Sequence, residues 1–132
     1  MERRKLILRK RDGTMVRCET HTHFSAAFKT LKVIGTDGQV AAVSLDDLKA
    51  IFFVRDFQGN PNYQPQQEFS EESPKAGQAV RVTFHDGEVL RGRVLNMADG
   101  QRGFFMFPAD PLDNNERIFI VRSADLRVEV EE

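Results

Sequence analysis

His21 and His23 are separated by one residue, a spacing that on a β-strand turns both imidazoles to one face. A metal centre needs at least one or two further ligands, and only Glu19 and Asp12 stand near enough in the chain to be candidates. The pair therefore reads as part of a solvated strand or loop, and no metal is assigned. Carboxylates cluster at Asp46-Asp47 and at Asp110, Asp113 and Glu116. General acid–base chemistry requires two of them to converge beside a substrate cleft, and a small barrel filled with side chains offers no large cleft. Capping of a short helical turn accounts for Asp46-Asp47. No phosphate-binding loop, nucleophile motif or dinucleotide fingerprint is present. These residues point to no catalytic set and no cofactor, and the chain is expected not to be an enzyme.

Arg3, Arg4, Lys5, Arg9, Lys10 and Arg11 form a basic stretch able to touch phosphates. No aromatic residues interleave them for base stacking, and strand alternation sends Arg9 and Arg11 to one face and Lys10 to the other. The expectation is a solvated edge strand whose charges blunt pairing with other chains. His85, at a hairpin tip, is expected to be exposed. A net charge of −1 over 132 residues exerts no overall pull on nucleic acid or an anionic membrane. Cys18 is the single cysteine, which excludes an intramolecular disulfide and suits a small buried strand residue. No apolar run approaches the ~18 residues of a membrane span, and no long apolar stretch follows the first charged residues as in a secretory signal. The expected location is cytoplasmic, without membrane contact.

The elements that must position these groups are clearest between residues 80 and 130. Val80 to Val94 alternates apolar and charged residues on both sides of Asp86-Gly87, the pattern of a β-hairpin. Leu6 to Cys18 carries the same Asp-Gly within a similar pattern, so the chain reads as one β unit written twice. The first copy has strands over 6–11, 14–19, 28–34 and 39–43, a helical turn at 44–48 and a closing strand over 49–55. Asp12-Gly13 matches Asp86-Gly87, and Asp47-Leu48-Lys49 matches Asp125-Leu126-Arg127. The spacing between copies grows from 74 to 78 residues, so four residues are inserted in or between the third and fourth strands. There Pro108 to Arg117 carries two prolines and Asn114-Asn115, residues suited to tight turns, with Asn tolerating positive φ. The expected fold is all-β: a tandem repeat of two small SH3/Sm-like five-stranded barrels, over 1–56 and 78–132, joined by an ordered linker over 57–77.

The linker has turn-forming composition but holds Phe57, Tyr63 and Phe69, so it is expected to lie against a barrel. Phe52-Phe53 and Phe104-Phe105 are adjacent pairs, and neighbours on a strand face opposite ways. One ring of each pair must leave its own core and be covered by the other barrel, the linker or a partner.

Lys49-Ala-Ile-Phe-Phe-Val-Arg55-Asp56-Phe57-x-Gly59, the Asp86-Gly87-Glu88 hairpin, and Gly103-Phe104-Phe105-x-x-Pro108-x-Asp110-Pro111-x-x-Asn114-Asn115-x-Arg117 resemble a family of small bacterial domains of unknown function. The resemblance covers roughly residues 45 to 130. It implies an accessory role in bacterial signalling or secretion proteins, sometimes near PilZ domains. The PilZ signature itself, Arg-x-x-x-Arg followed by Asp-x-Ser-x-x-Gly, is not present as a full set, and the Sm uridine-pocket signature is not recognisable.

The expected function is a non-enzymatic binding module, with another protein as partner. Its surface is placed at Arg55, Asp56, Asp110, Asp113, Asn114, Asn115 and Arg117, where charged and amide groups gather beside outward aromatics. The bland alternative has Arg55 and Arg117 pairing with Asp56 or Asp113 to pin linker and loop. The competing function is nucleotide, cyclic-dinucleotide or RNA binding on an Sm-like barrel, which no motif supports.

Overall fold

A computed structural model describes residues 3–20, 29–59, 62–65, 68–96 and 102–131. His21 and His23 lie outside the described residues. Three pentapeptides, 10–14, 35–39 and 84–88, make the same turn. In each, the first residue's N–H donates to the fifth carbonyl, at 2.8, 2.8 and 2.9 Å, and the glycine N–H donates back to the first carbonyl. The aspartate before the glycine accepts from the N–H of the fifth residue, at 2.8, 3.0 and 3.0 Å. Gly13 and Gly87 take φ of 95° and 90°, a region a Cβ disfavours. Both residues of the Asp-Gly pair thus shape a three-residue hairpin loop.

The strands these turns organise are β1 (Arg4–Lys10), β2 (Met15–Thr20), β3 (Thr30–Gly35), β4 (Val40–Ser44), β5 (Leu48–Val54), β6 (Gln78–Thr83), β7 (Val89–Val94), β8 (Gly103–Pro108), β9 (Asn115–Val121) and β10 (Arg127–Glu131). A 3₁₀ turn, Leu45–Asp47, leads into β5. Its cap is Ser44, whose Oγ accepts from the Asp46 N–H at 3.3 Å. The expectation that Asp46 or Asp47 caps this turn is therefore corrected. Both acids lie inside the turn, and Asp46 instead accepts from Arg102 at 3.0 Å.

The all-β class matches the sequence reading. The antiparallel ladders form one open ten-stranded sheet, ordered β10-β6-β7-β8-β9-β5-β1-β2-β3-β4. Each half runs fifth, first, second, third, fourth, and β9 joins β5 in the middle. The basic stretch is not an edge strand: β1 lies between β5 and β2, because its turn brings β2 to one side and β5 seals the other. No described helix is long and apolar enough to cross a membrane.

Strand alternation builds two cores. Leu6, Leu8, Leu31, Val33, Ile51 and Phe53 form one, completed by Phe119 and Val121 from the second half. Val80, Val82, Phe104, Met106, Ile118 and Ile120 form the other, completed by Ala50, Phe52 and Val54 from the first. Every residue of β5 is buried, since it faces a core on each side. This accounts for the adjacent phenylalanines: Phe53 and Phe104 stay with their own half, while Phe52 and Phe105 are covered by the other. Cys18 is fully buried, and burial pushes its thiol pKa up to about 11.

Linker aromatics dock as expected. Phe57 packs on the second core, and Phe69 lies against the Arg91 and Arg93 guanidinium groups at 5.2 and 5.3 Å.

Candidate groove beside the β8–β9 loop

Six residues after β8, 109–114, form the longer connection that the repeat spacing anticipates. Two aspartates fold it. Asp110 Oδ1 accepts from the Leu112 N–H at 2.9 Å, and Asp113 Oδ1 accepts from the N–H and side-chain amide of Asn115 at 2.9 and 3.0 Å. These are local Asx turns, which aspartate forms because its short carboxylate reaches two residues ahead. No described residue other than glycine has positive φ, so the expected left-handed asparagines are corrected. Side-chain hydrogen bonds do the work instead.

Asn114 ties the loop to the end of β5. Its Oδ1 accepts from the Asp56 N–H at 3.2 Å, its Nδ2 donates to the Asp56 carbonyl at 2.7 Å, and its own carbonyl accepts from the Arg55 N–H at 2.9 Å. Arg55 Nε donates to the Asp113 carbonyl at 3.3 Å, and its Nη1 lies 3.9 Å from Glu116. Arg55 thus meets Asp113 through the main chain and not as a carboxylate pair. Tyr63 donates its hydroxyl to Asp110. That carboxylate, helped by burial, pushes the phenol pKa up to about 12, so Tyr63 keeps its proton at neutral pH. Burial raises the Asp113 pKa, with the Asn115 bonds opposing it and the Asp110 charge adding to it.

Between this loop and the linker runs an open groove of about 580 Å³. Ile7, Val54, Tyr63, Pro65 and Leu112 line it together with Arg55, Asp56, Gln58, Asp113, Asn114 and Asn115. Five of the seven residues singled out from sequence are gathered here, and Asp110 adjoins through Tyr63. Arg117 lies apart, stacked over Phe53 and Phe105 at 4.5 and 4.7 Å, its pKa lowered by burial and by Arg4. A smaller hollow of about 210 Å³ shares Val54 and Arg55 with the groove and is lined by Arg3, Arg4, Lys5, Phe53 and Glu116.

A second polar cluster was not anticipated. The β1–β5 ladder sets Arg9 opposite Ala50 and Lys10 opposite Leu48, so Lys49 is the extra residue of a bulge. Its side chain is buried, donates to Asp86 at 2.7 Å and to Glu88, and lies over the Phe84 ring at 4.5 Å. Arg9 reaches both Glu88 oxygens at 3.2 Å and stacks over Phe52. Arg11 pairs with Asp125 at 3.2 Å, and exposed His85 has Nε2 3.0 Å from the Arg11 carbonyl. The signal was a single lysine within an otherwise apolar run. Among the described residues, no three His, Cys, Asp or Glu side chains converge as metal ligands.

No curated protein and no solved structure matches the chain. A family profile matches residues 2–131, and the chain belongs to that family of unknown function, DUF6982.

Proposed function

We propose that the chain is a non-enzymatic protein-binding module in bacterial signalling or secretion, and that its groove receives an extended segment of another protein. The observation that carries this reading is the groove's composition. Leu112 is 74% exposed at a site also lined by Ile7, Val54 and Pro65, with Arg55, Asp56 and Gln58 among its polar groups. Asp56, Asp110 and Asp113 each accept the main-chain N–H two residues ahead, which supports a shape-holding role for the acids. Recognition then falls to the apolar lining and to Arg55. In this reading each half is a small SH3-like or Sm-like barrel. The repeated strand order, and two cores each built mainly from one half, support that architecture.

The test is selection of a peptide-display library on the whole chain, followed by binding of enriched peptides to Leu112→Asp. Because Leu112 is exposed, the variant should melt like the parent and lose at least about tenfold in affinity, equivalent to the burial of one apolar side chain. Peptides that bind the variant equally well would exclude the groove.

A second reading, nucleotide, cyclic-dinucleotide or RNA binding, is favoured by the neighbouring hollow, where Arg3, Arg4, Lys5 and Arg55 converge. It predicts binding that weakens steeply with salt. With no Trp and one Tyr, the native protein absorbs weakly, so copurified nucleotide would dominate its spectrum near 260 nm. A clean spectrum together with undetectable RNA binding at low salt would remove this reading.

A further inference from the structure

The sheet ends on the same two kinds of strand that join it in the middle. At the central junction the fifth strand of the first half, β5, pairs with the fourth strand of the second, β9. The outermost strands, β4 and β10, are the fourth strand of the first half and the fifth of the second. Among the described residues each pairs on one side only, β4 with β3 and β10 with β6. β4 carries neither charge nor proline, and its Val40, Ala41 and Ala42 are exposed. Such an edge lacks the usual devices that prevent pairing with another chain.

We propose that β4 of one copy of this chain pairs antiparallel with β10 of a second copy, repeating the β9–β5 junction between molecules. The repeat dictates the register. Ile51 lies opposite Leu8 as Val128 lies opposite Val82, which makes Ile51 and Val128 equivalent. Val43 lies opposite Leu31 as Ile120 lies opposite Phe104, which makes Val43 and Ile120 equivalent. Carrying the internal pair Phe53↔Arg117 across these equivalences sets Val130 of one copy opposite Val40 of the next. Those valines are 55% and 63% exposed, two of the few large apolar side chains left in water. The contact covers both and supplies partners for two unpaired strand edges. It joins unlike surfaces, so successive copies associate head to tail, as a closed ring or an open row.

Light scattering coupled to size exclusion tests this on the full chain. The expected mass is a multiple of 15.1 kDa that falls on dilution. Val40→Lys and Val130→Lys should each abolish association while leaving the melting temperature unchanged, since both sites are exposed. An equal mixture of the two should form a species of two chains, because Val40→Lys keeps an intact β10 and Val130→Lys an intact β4. Either variant alone decides the matter should the other fail to fold. A parent chain that stays monomeric at the highest concentration reached would overturn the proposal. So would variants that assemble like the parent, or a mixture that stays monomeric.

Discussion

Asn114 grips both main-chain polar groups of Asp56, accepting from its N–H at 3.2 Å and donating to its carbonyl at 2.7 Å. A side-chain amide can do this because it carries an acceptor and a donor side by side, as a peptide unit does. The end of β5 and the β8–β9 loop are thereby held together across one wall of the groove.

Replacing Asn114 by Ala removes two hydrogen bonds, each with a net value of roughly 0.5–1.5 kcal/mol, so a loss of about 1–3 kcal/mol is expected in urea unfolding. Hydrogen exchange at the Asp56 amide should accelerate at the same time. An unchanged urea midpoint with a still-protected amide would show that the clamp contributes nothing.

Lys49 sets an acid limit on stability. Its hydrogen bond, followed by that from the Glu88 N–H, holds the Asp86 carboxyl down at about 2, against an ordinary value of 3.8. The folded state therefore binds the Asp86 proton more weakly than the unfolded chain does. The resulting stabilisation is complete above the ordinary value and disappears as pH falls through about 2. Melting temperatures of the parent and Asp86→Asn should thus differ most above that window and converge toward its lower end. Lys49→Met leaves Asp86 without its cation and Glu88 with Arg9 alone, both carboxylates still partly hydrated, and should cost about 1–3 kcal/mol at neutral pH. A parallel pair of pH profiles for the parent and Asp86→Asn would contradict the assignment.

Cys18 should resist thiol reagents in the native protein, since its side chain is fully buried and its thiol pKa stands near 11. Labelling by a disulfide reagent at mildly alkaline pH should track the unfolding transition. Rapid stoichiometric labelling without denaturant would place Cys18 outside the core.

Local chemistry made much of this protein readable. Asp12-Gly13 and Asp86-Gly87 announced their hairpins because the turn needs a short acceptor and a residue free at positive φ, both written in adjacent positions. The alternation around them located the strands to within a few residues. Phe52-Phe53 showed that β5 is covered on both faces, since strand neighbours point opposite ways. The loop from Asp110 was conspicuous because its Asx turns are local.

Tertiary structure decided what lies across the ladders. An all-apolar strand such as β5 declares that both faces are buried, yet its edge groups are the same backbone N–H and C=O in every strand, so its pairing with β9 was not written in it. For the same reason β1 could be read as an edge strand, although the carboxylates that accommodate Arg9 and the following Arg11, Glu88 and Asp125, arrive from the second half. The buried position of Lys49 depends on a bulge and on a hairpin tip far along the chain. Arg117, grouped with the loop by sequence proximity, stacks on the opposite face of the sheet because strand alternation turns it toward Phe53 and Phe105. Sequence by itself determined the turns and the strands, because each rests on neighbours in the chain. Only the folded sheet decided which strand edges meet and which charges are paired, because those depend on groups brought together from distant positions.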